Sequence, residues 1–316
     1  MIENQPLVTI VTASYKKFDR IFDTIKSVIR QDYNNIEYII ADDGSPNFPQ
    51  KEIEDYLREN ASDLDYKIYH SEVNKGTVKN LNHAFKNSKG DYVFPLSCGD
   101  EFFSNDVVCR IVDRFSTTNA KLIVTTRLFH NNYKPICLLP HYYDRNTIEK
   151  LNTNQKQYEA FVTGRHYNFF SGSAMYYSRC ILDEMDYFDE QYLLLEDAPF
   201  VAKYLQRYPF LYAFEIISIW YEYGGCSTGV QKNSFLLKDQ KRHIINNILS
   251  HSNIVTPKKE KIINFRIKYA ECNSKLEKIK LFASHPITYL CKYIYSIRHR
   301  FNTVRDNFYI KKIIKQ

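Results

Sequence analysis

The chain has 316 residues, 44% of them apolar and 25% charged, a balance that suits a globular protein with a sizeable core and excludes disordered, collagen-like and disulfide-scaffold classes. The net charge of +7 divides unevenly: residues 230–316 carry 19 Lys+Arg against 5 Asp+Glu, a balance of +14, which leaves 24 against 31, or −7, in residues 1–229. A main domain with a basic appendage is therefore expected, and because the last glycine is Gly229 the boundary is set after it.

Two hydrophobic periods alternate from the N-terminus onward. Leu7 to Ala13 is a short β-rich apolar run, predicted as a strand buried on both faces. Phe18 to Gln31 places Ile21, Phe22, Ile25, Val28 and Ile29 on one face of a helix. Ile36 to Ala41 predicts a second strand, ending in the turn sequence Asp42-Asp43-Gly44-Ser45. A helix through Ile53, Tyr56 and Leu57 follows, then a strand near 66–69, a helix from Thr77 to Asn87, a strand from Asp91 to Leu96 and a strand from Lys121 to Phe129. Such alternation predicts an α/β fold with right-handed crossovers and a mostly parallel central sheet flanked by helices. Residues 140–228 are less regular and rich in tyrosine; Leu194-Leu195-Glu196-Asp197-Ala198-Pro199 opens a helix there, and Tyr223-Gly224-Gly225-Cys226-Ser227-Thr228-Gly229 is the other landmark.

Several chemistries are excluded by what the chain lacks. The seven cysteines are odd in number and scattered, with no C-x-x-C pair, so a reducing cytoplasm is expected rather than a zinc knuckle or a disulfide framework. The N-terminus has neither a basic n-region nor an apolar h-region, and no run of 18 apolar residues occurs. A G-x-G-x-x-G after the first strand, a P-loop and an H-E-x-x-H are all missing. Carboxylates at strand ends remain, where ligands of open α/β sheets bind. Asp43 closes the second strand and is placed to accept a base N–H, or else Asp42 or Asp43 forms an Asx-turn with Gly44 supplying positive φ. Asp100 lies just beyond the strand 92–96 with Glu101 beside it, hard oxygen ligands for Mg²⁺ or Mn²⁺, or else an exposed acidic loop capping a helix that starts near Asn105. Asp197 sits at a helix start with Pro199 in the first turn, where a plain N-cap is the alternative to a functional carboxylate.

The series Val8-Thr9-Ile10-Val11-Thr12-Ala13-Ser14-Tyr15, Asp42-Asp43-Gly44-Ser45, Asn74-Lys75-Gly76…Lys79-Asn80, Lys89-Gly90-Asp91-Tyr92-Val93…Gly99-Asp100 and Glu196-Asp197 resembles the family-2 glycosyltransferases over residues 6–229. The resemblance implies a GT-A fold in residues 1–229, with a nucleotide-binding half (1–103) and an acceptor-side half (104–229). It also implies a nucleotide-sugar donor, a divalent cation (Mn²⁺ or Mg²⁺) and inversion at the anomeric carbon. By the same resemblance Ala13 and Tyr15 line the base and ribose pocket, Asp43 binds the uracil edge, and Lys79 and Gly99 lie by the nucleotide. Asp100 is the metal-binding carboxylate, Asp197 the general base with Glu196 beside it, and Gly224, Gly225 and Ser227 form a loop near the diphosphate or acceptor. One departure stands out. The family's Leu-Asp-x-Asp-Asp is here Leu96-Ser97-Cys98-Gly99-Asp100, with two of three carboxylates replaced.

In the tail, Ser284-His285-Pro286 reads as an N-cap followed by proline at the helix start. Ile287, Leu290, Ile294, Ile297, Phe301 and Val304 then recur at steps of three and four, ringed by Lys292, Arg298, Arg300 and Arg305, with Lys311, Lys312 and Lys315 beyond. That pattern predicts residues 281–316 lying on an anionic membrane surface, the inner face of the cell membrane, where a lipid-linked glycan acceptor would be found; the alternative is a helix packed back on the main domain. Three rivals are weighed against transfer. A nucleotidyltransferase would carry a glycine-rich loop after the first strand, whereas Ala13-Ser14-Tyr15-Lys16-Lys17-Phe18 has none. A catalytically inactive nucleotide-sugar-binding or scaffold protein is motivated by the thinned metal motif. Nucleic-acid binding through the tail finds no accompanying motif, so no nucleic-acid partner is expected.

Overall fold

The computed structural model describes residues 5–163, 169–222, 234–249, 257–272 and 274–314. Strand and helix alternate through β1 (Val8–Ser14), α1 (Ile21–Ile29), β2 (Ile36–Asp42), α2 (Gln50–Asn60), β3 (Asp65–His70), α3 (Thr77–Lys86) and β4 (Tyr92–Ser97), in the predicted order. There follow β5 (Glu101–Phe102), α4 (Val107–Thr117), β6 (Leu122–Asn131), β7 (Lys134–Leu139), α5 (Arg145–Glu149), α6 (Asn154–Thr163), β8 (Met175–Ser178), α7 (Arg179–Glu184), α8 (Asp197–Tyr204) and β9 (Leu211–Glu222). The basic extension is helical: α9 (Ser234–His243), α10 (Pro257–Glu271), α11 (Lys275–Ser284) and α12 (Pro286–Ile313). The division expected after residue 229 falls outside the described residues.

One nine-stranded sheet runs β3-β2-β1-β4-β8-β6-β9-β5, with β7 paired to β6. The first four strands are parallel, as their crossover helices require. Beyond β4 the sheet is mixed: β8 is antiparallel to β4 and β6, β7 to β6 and β5 to β9, while β6 and β9 run parallel. The expected parallel sheet is thus correct for the first half and too simple for the second.

Alternation along β1 shows why both faces are covered. Val8 and Ile10 join Ile21, Ile25, Val28, Ile53, Leu57, Val107 and Ile111 in a core under α1, α2 and α4. Val11 joins Val78, Leu81, Phe85, Ile181, Phe200 and Val201 in a second core under α3, α7 and α8. At about 1.5–3 kcal/mol per fully buried large apolar side chain, these two layers dominate the stability of the fold.

The extension does not stand apart from this body. Asp239 of α9, 5% exposed, accepts the backbone N–H groups of Leu193 (2.8 Å) and Leu194 (2.7 Å). Ile310 of α12 is 1% exposed against Leu128, Leu138 and Ile217. Asp306 of α12, fully buried, accepts the N–H groups of Leu138 (3.0 Å) and Tyr142 (3.1 Å) and bonds His141 Nδ1 (2.6 Å). The N-terminal residue signalling α12 is also revised. His285 is the N-cap residue with Pro286 at the first helical position, while Ser284 ends α11 and turns its hydroxyl back to the Leu281 carbonyl at 2.9 Å.

Candidate active site

Three strand ends lie side by side and carry the expected nucleotide-side residues. The Ala13 carbonyl accepts the Cys98 N–H (3.0 Å) and the Ser14 carbonyl accepts the Asp43 N–H (3.0 Å), so the loops after β2 and β4 flank the end of β1. Tyr15 follows with its ring 40% exposed and the Lys16 ammonium 4.9 Å above it. Asp42 holds the turn: its carboxylate accepts the Ser45 N–H (2.8 Å), the Ser45 hydroxyl (2.7 Å) and the Ser14 hydroxyl (2.9 Å), while Gly44 supplies φ of +73°. Asp43 is thereby released from that duty. Its two oxygens accept the N–H groups of Lys75 (2.7 Å) and Gly76 (2.8 Å), tying the β2 loop to the start of α3, from which Lys79 projects as an exposed side chain.

Gly76 links this corner to the other end of the site. A Cβ at Gly76, where φ is +91°, would sit 2.4 Å from Leu193 Cδ1 and 2.6 Å from the Leu193 carbonyl oxygen, so only glycine admits that approach. Leu193 is four residues ahead of Asp197. The segment between them is thus pinned by Gly76 on one side and by Asp239 of the extension on the other.

Asp100 and Glu101 are not an exposed acidic loop. They are 5% and 8% exposed, and Glu101 forms β5. Gly99 reaches φ of +97°, which turns the chain so that its N–H meets the Thr24 hydroxyl (3.0 Å). Asp100 Oδ1 accepts the Glu222 N–H at 3.3 Å, and Oδ2 is buried with no hydrogen-bond partner among the described residues. Burial pushes the Asp100 carboxyl up to about 7, with the Glu222 charge adding to the rise and Arg127 and Arg20 opposing it. Glu101 is committed elsewhere: its carboxylate pairs with Arg20 and accepts the Tyr133 hydroxyl at 2.8 Å. Glu222, at the end of β9, is the second acidic group beside Asp100, with one oxygen 3.2 Å from Arg20 Nη1.

Asp197 is no plain N-cap. It is the first residue of α8, Glu196 holds the cap position without a capping side-chain bond, and Pro199 falls in the first turn as expected. One Asp197 oxygen accepts the Ala198 N–H (2.6 Å) and the other the Gly172 N–H (3.2 Å), the latter from the turn Gly172–Ala174. Burial raises both members of the acidic pair. Glu196 is pushed up to about 8, with the Asp197 charge adding to the effect; Asp197 is also raised, restrained by the Ala198 and Gly172 N–H groups and by Arg127.

Arg127 of β6 is the residue that sequence reading missed. Its guanidinium lies 4.7 Å from the Phe129 ring centroid and 4.5 Å from that of Tyr221, and its charge acts on both Asp100 and Asp197. Within the predicted strand 121–129 it read only as a polar interruption. The structure therefore brings Ala13, Tyr15, Asp43, Lys79, Gly99, Asp100, Glu196 and Asp197 to one end of the sheet, while Gly224, Gly225 and Ser227 lie outside the described residues.

Comparison with known proteins bears on the family and the fold. Residues 9–185, more than half of the chain, match the family model described as glycosyl transferase family 2. An Escherichia coli K12 protein named for colanic acid biosynthesis, the glycosyl transferase WcaA, is 28% identical over 132 residues, 42% of this chain and 44% of that relative, so under half of its length is spanned. S. aureus TarS 1–349 in complex with UDP-GlcNAc superposes with a TM-score of 0.58 at 14% identity, covering 84% of this chain and 81% of that one. The mannosyltransferase PcManGT of Pyrobaculum calidifontis, in complex with GDP-Man and Mn²⁺, gives 0.56 at 12% identity, covering 97% and 87%. The fold is GT-A, and the chain belongs to glycosyltransferase family 2.

Proposed function

We propose that this chain transfers a sugar, with inversion, from a UDP-sugar to a hydroxyl of a lipid-linked glycan during bacterial surface polysaccharide synthesis. The observation that carries the reading is the meeting of the β1, β2 and β4 ends with the Glu196–Asp197 pair, joined through Gly76–Leu193 on one side and Arg127 on the other. The biosynthetic setting is supported by the relative named for colanic acid biosynthesis and the UDP donor by the complex of TarS with UDP-GlcNAc.

Ala13 and Tyr15 form the wall for base and ribose, and the exposed Tyr15 ring offers a stacking face. Asp43, each of whose oxygens keeps a lone pair beyond the one bonded to the loop, reads the base edge. Lys79 and the Gly99 turn approach the nucleotide; Gly224, Gly225 and Ser227, outside the described residues, are assigned to the diphosphate or acceptor by the family resemblance alone. The donor set fits a hard divalent cation, Mn²⁺ or Mg²⁺. Asp100 keeps a buried carboxylate oxygen without a partner and Glu222 stands next to it. Among the described residues no group of three His, Cys, Asp or Glu is disposed to hold a metal, so diphosphate oxygens would complete the shell. When bound, the cation neutralises charge on the departing diphosphate.

Asp197 accepts the proton of the acceptor hydroxyl as that oxygen forms its bond to C1. The bond from C1 to the diphosphate breaks on the opposite face, and its electron pair leaves with the nucleoside diphosphate. Glu196, held protonated beside Asp197, leaves the pair with a single negative charge for this task. The test follows nucleoside diphosphate release from UDP-, GDP- and dTDP-sugars, with and without Mn²⁺. Asp197→Asn is expected to lower transfer by about 10²–10⁴-fold while UDP binding stays within about twofold. A protein that releases nothing from any sugar nucleotide, or an Asp197→Asn variant with near-normal turnover, refutes the assignment.

The peripheral position on the inner membrane face belongs to the same proposal. No helix among the described residues is long and apolar enough to cross a membrane. α12 instead leaves Ile287, Leu290, Ile294, Ile297, Phe301, Val304 and Phe308 between 52% and 79% exposed. Because α12 also fills the core at Ile310 and Asp306, removing residues 281–316 would damage the domain. Glutamate at Ile294 and Phe301, both exposed, is the cleaner perturbation, and unchanged binding of that variant to phosphatidylglycerol vesicles would refute membrane attachment through α12.

A further inference from the structure

We propose that Arg127 is the positioning residue of the transfer site: it fixes the turn that holds Asp197 and stands as a buried positive charge between Asp197 and Asp100. The inference rests on the reading of Asp197 as the base.

Two hydrogen bonds give the connection. Arg127 Nη1 donates to the Ser173 hydroxyl at 2.9 Å, and the Gly172 N–H donates to Asp197 Oδ2 at 3.2 Å. Arg127 and Asp197 therefore grip adjacent residues of the turn Gly172–Ala174 from opposite sides, and the Ser173 hydroxyl is steadied further by that of Ser171 at 3.1 Å. The guanidinium plane is fixed by the Phe129 and Tyr221 rings, which favour a planar cation over an ammonium. A buried guanidinium is costly unless carboxylates face it, and here two do, Asp100 from just beyond β4 and Asp197 from the start of α8. Among the described residues its Nε and the Asp100 Oδ2 are both buried without a hydrogen-bond partner.

The groups acting on this charge are Tyr221 of β9, Asp100 beyond β4, Asp197 of α8 and Cys137 of β7, while Glu222 at the end of β9 acts on Asp100, and Glu196 ahead of α8 and Tyr177 of β8 face Asp197. Asp197 must be ionised to take up a proton, and burial opposes that. Four features favour the charged form: the Ala198 N–H, the Gly172 N–H, Arg127 and the backbone N–H of Asp197 itself. Arg127 both supplies one and steadies the turn that supplies another. Its removal makes the base harder to ionise, so the acid limb of the rate profile moves to higher pH.

The experiment compares wild type, Arg127→Met and Arg127→Lys. The rate of UDP release with the best donor of the panel is recorded against pH, and the Glu196 and Asp197 carboxyl groups are titrated by ¹³C NMR in donor-free protein. In Arg127→Met the ratio of rates at about pH 8 and about pH 6 is expected to rise several-fold, by at most about sixfold for one unit of displacement. UDP affinity stays within twofold of wild type, and Arg127→Lys recovers most of the wild-type profile. A loss that is uniform across pH, or carboxyl titrations identical to wild type, overturns the proposal. Should wild type release UDP from no donor, the transfer reading fails while the NMR titration still decides the role of Arg127. Should Arg127→Met not fold, Ser173→Ala carries the test: an upward displacement supports the positioning role and an unchanged titration refutes it.

Discussion

Asp306→Ala should free the C-terminal half of α12 while leaving the sheet folded. The carboxylate is fully buried and serves three partners: the Leu138 N–H, the Tyr142 N–H and the His141 imidazole. Alanine strands all three, and at about 1–3 kcal/mol for each buried group left unsatisfied the loss is about 3–9 kcal/mol. The apolar contribution of this half of α12 comes mainly from Ile310, for which about 1.5–3 kcal/mol is the ordinary scale. Loss exceeds retention, so the helix detaches before the domain unfolds. Limited trypsin digestion read by mass spectrometry is the assay, with Arg298, Arg300, Arg305 and Lys311 as the sites. A loss of about 3 kcal/mol enlarges the open population about a hundredfold, and cleavage should accelerate in proportion. UDP affinity, which the proposed function places at the ends of β1, β2 and β4 and not at the β7 docking contacts, should not change. Cleavage at the wild-type rate, with an unchanged melting temperature, would show that Asp306 does not dock the helix.

Two further substitutions probe the site itself. Gly172→Ala places a Cβ 3.0 Å from Asp197 Oδ2 and 3.3 Å from Glu196 Oε1; the acidic pair must give way, so kcat should fall about tenfold or more with the donor KM little changed, and an equal loss in donor affinity would contradict this. Asp100→Asn should stabilise metal-free protein in a pH-dependent manner, measured by thermal melting in EDTA. Burial lifts the folded-state value to about 7, above the unfolded value near 3.9, so the contribution of the protonated form is complete below about pH 4 and lost progressively as pH rises through about 7. Asparagine mimics the protonated form, so its advantage should grow from nothing at about pH 4 to at most about 4 kcal/mol above pH 7; a constant advantage across that range would refute the argument.

The nucleotide side was legible because its information is local. β1, β2, β3 and β4 are short apolar runs with turns at their ends, and the βαβ rule places Ala13, Asp43 and Asp100 together without knowledge of any side-chain contact. The base side was not, because it depends on pairings distant in the chain. Sequence placed Asp197 at a helix start, yet its second partner, Gly172, is 25 residues away. Arg127 acquires its meaning only when β6 pairs with β9 and sets Tyr221 against the guanidinium. β9 itself, twelve residues of dense apolar and β-branched character, carried a strand signal that the tyrosine-rich irregularity of its surroundings obscured. Asp239, which pins the approach to Asp197, lies beyond a boundary that charge and glycine content alone had drawn.

The packed-helix reading of the tail describes one face of α12, and the membrane proposal concerns the other. A helix on a globular domain ordinarily turns its apolar stripe inward. Here the docked face is the polar one, with Asn302 3% exposed and Asp306 fully buried, while seven large apolar residues spaced by alternate steps of three and four face outward. An apolar face of that length has no stabilising role in water, and contiguous patches of this kind mark an interaction surface. The spacing alone would suit pairing with a second copy of the helix. Its rim does not: Arg298, Arg300, Arg305 and Lys312 flank the stripe, so a twin helix would set cation against cation. An anionic lipid surface, as proposed, would satisfy both the stripe and its rim, with the buried carboxylate of Asp306 keeping the helix fastened to the domain through its other face.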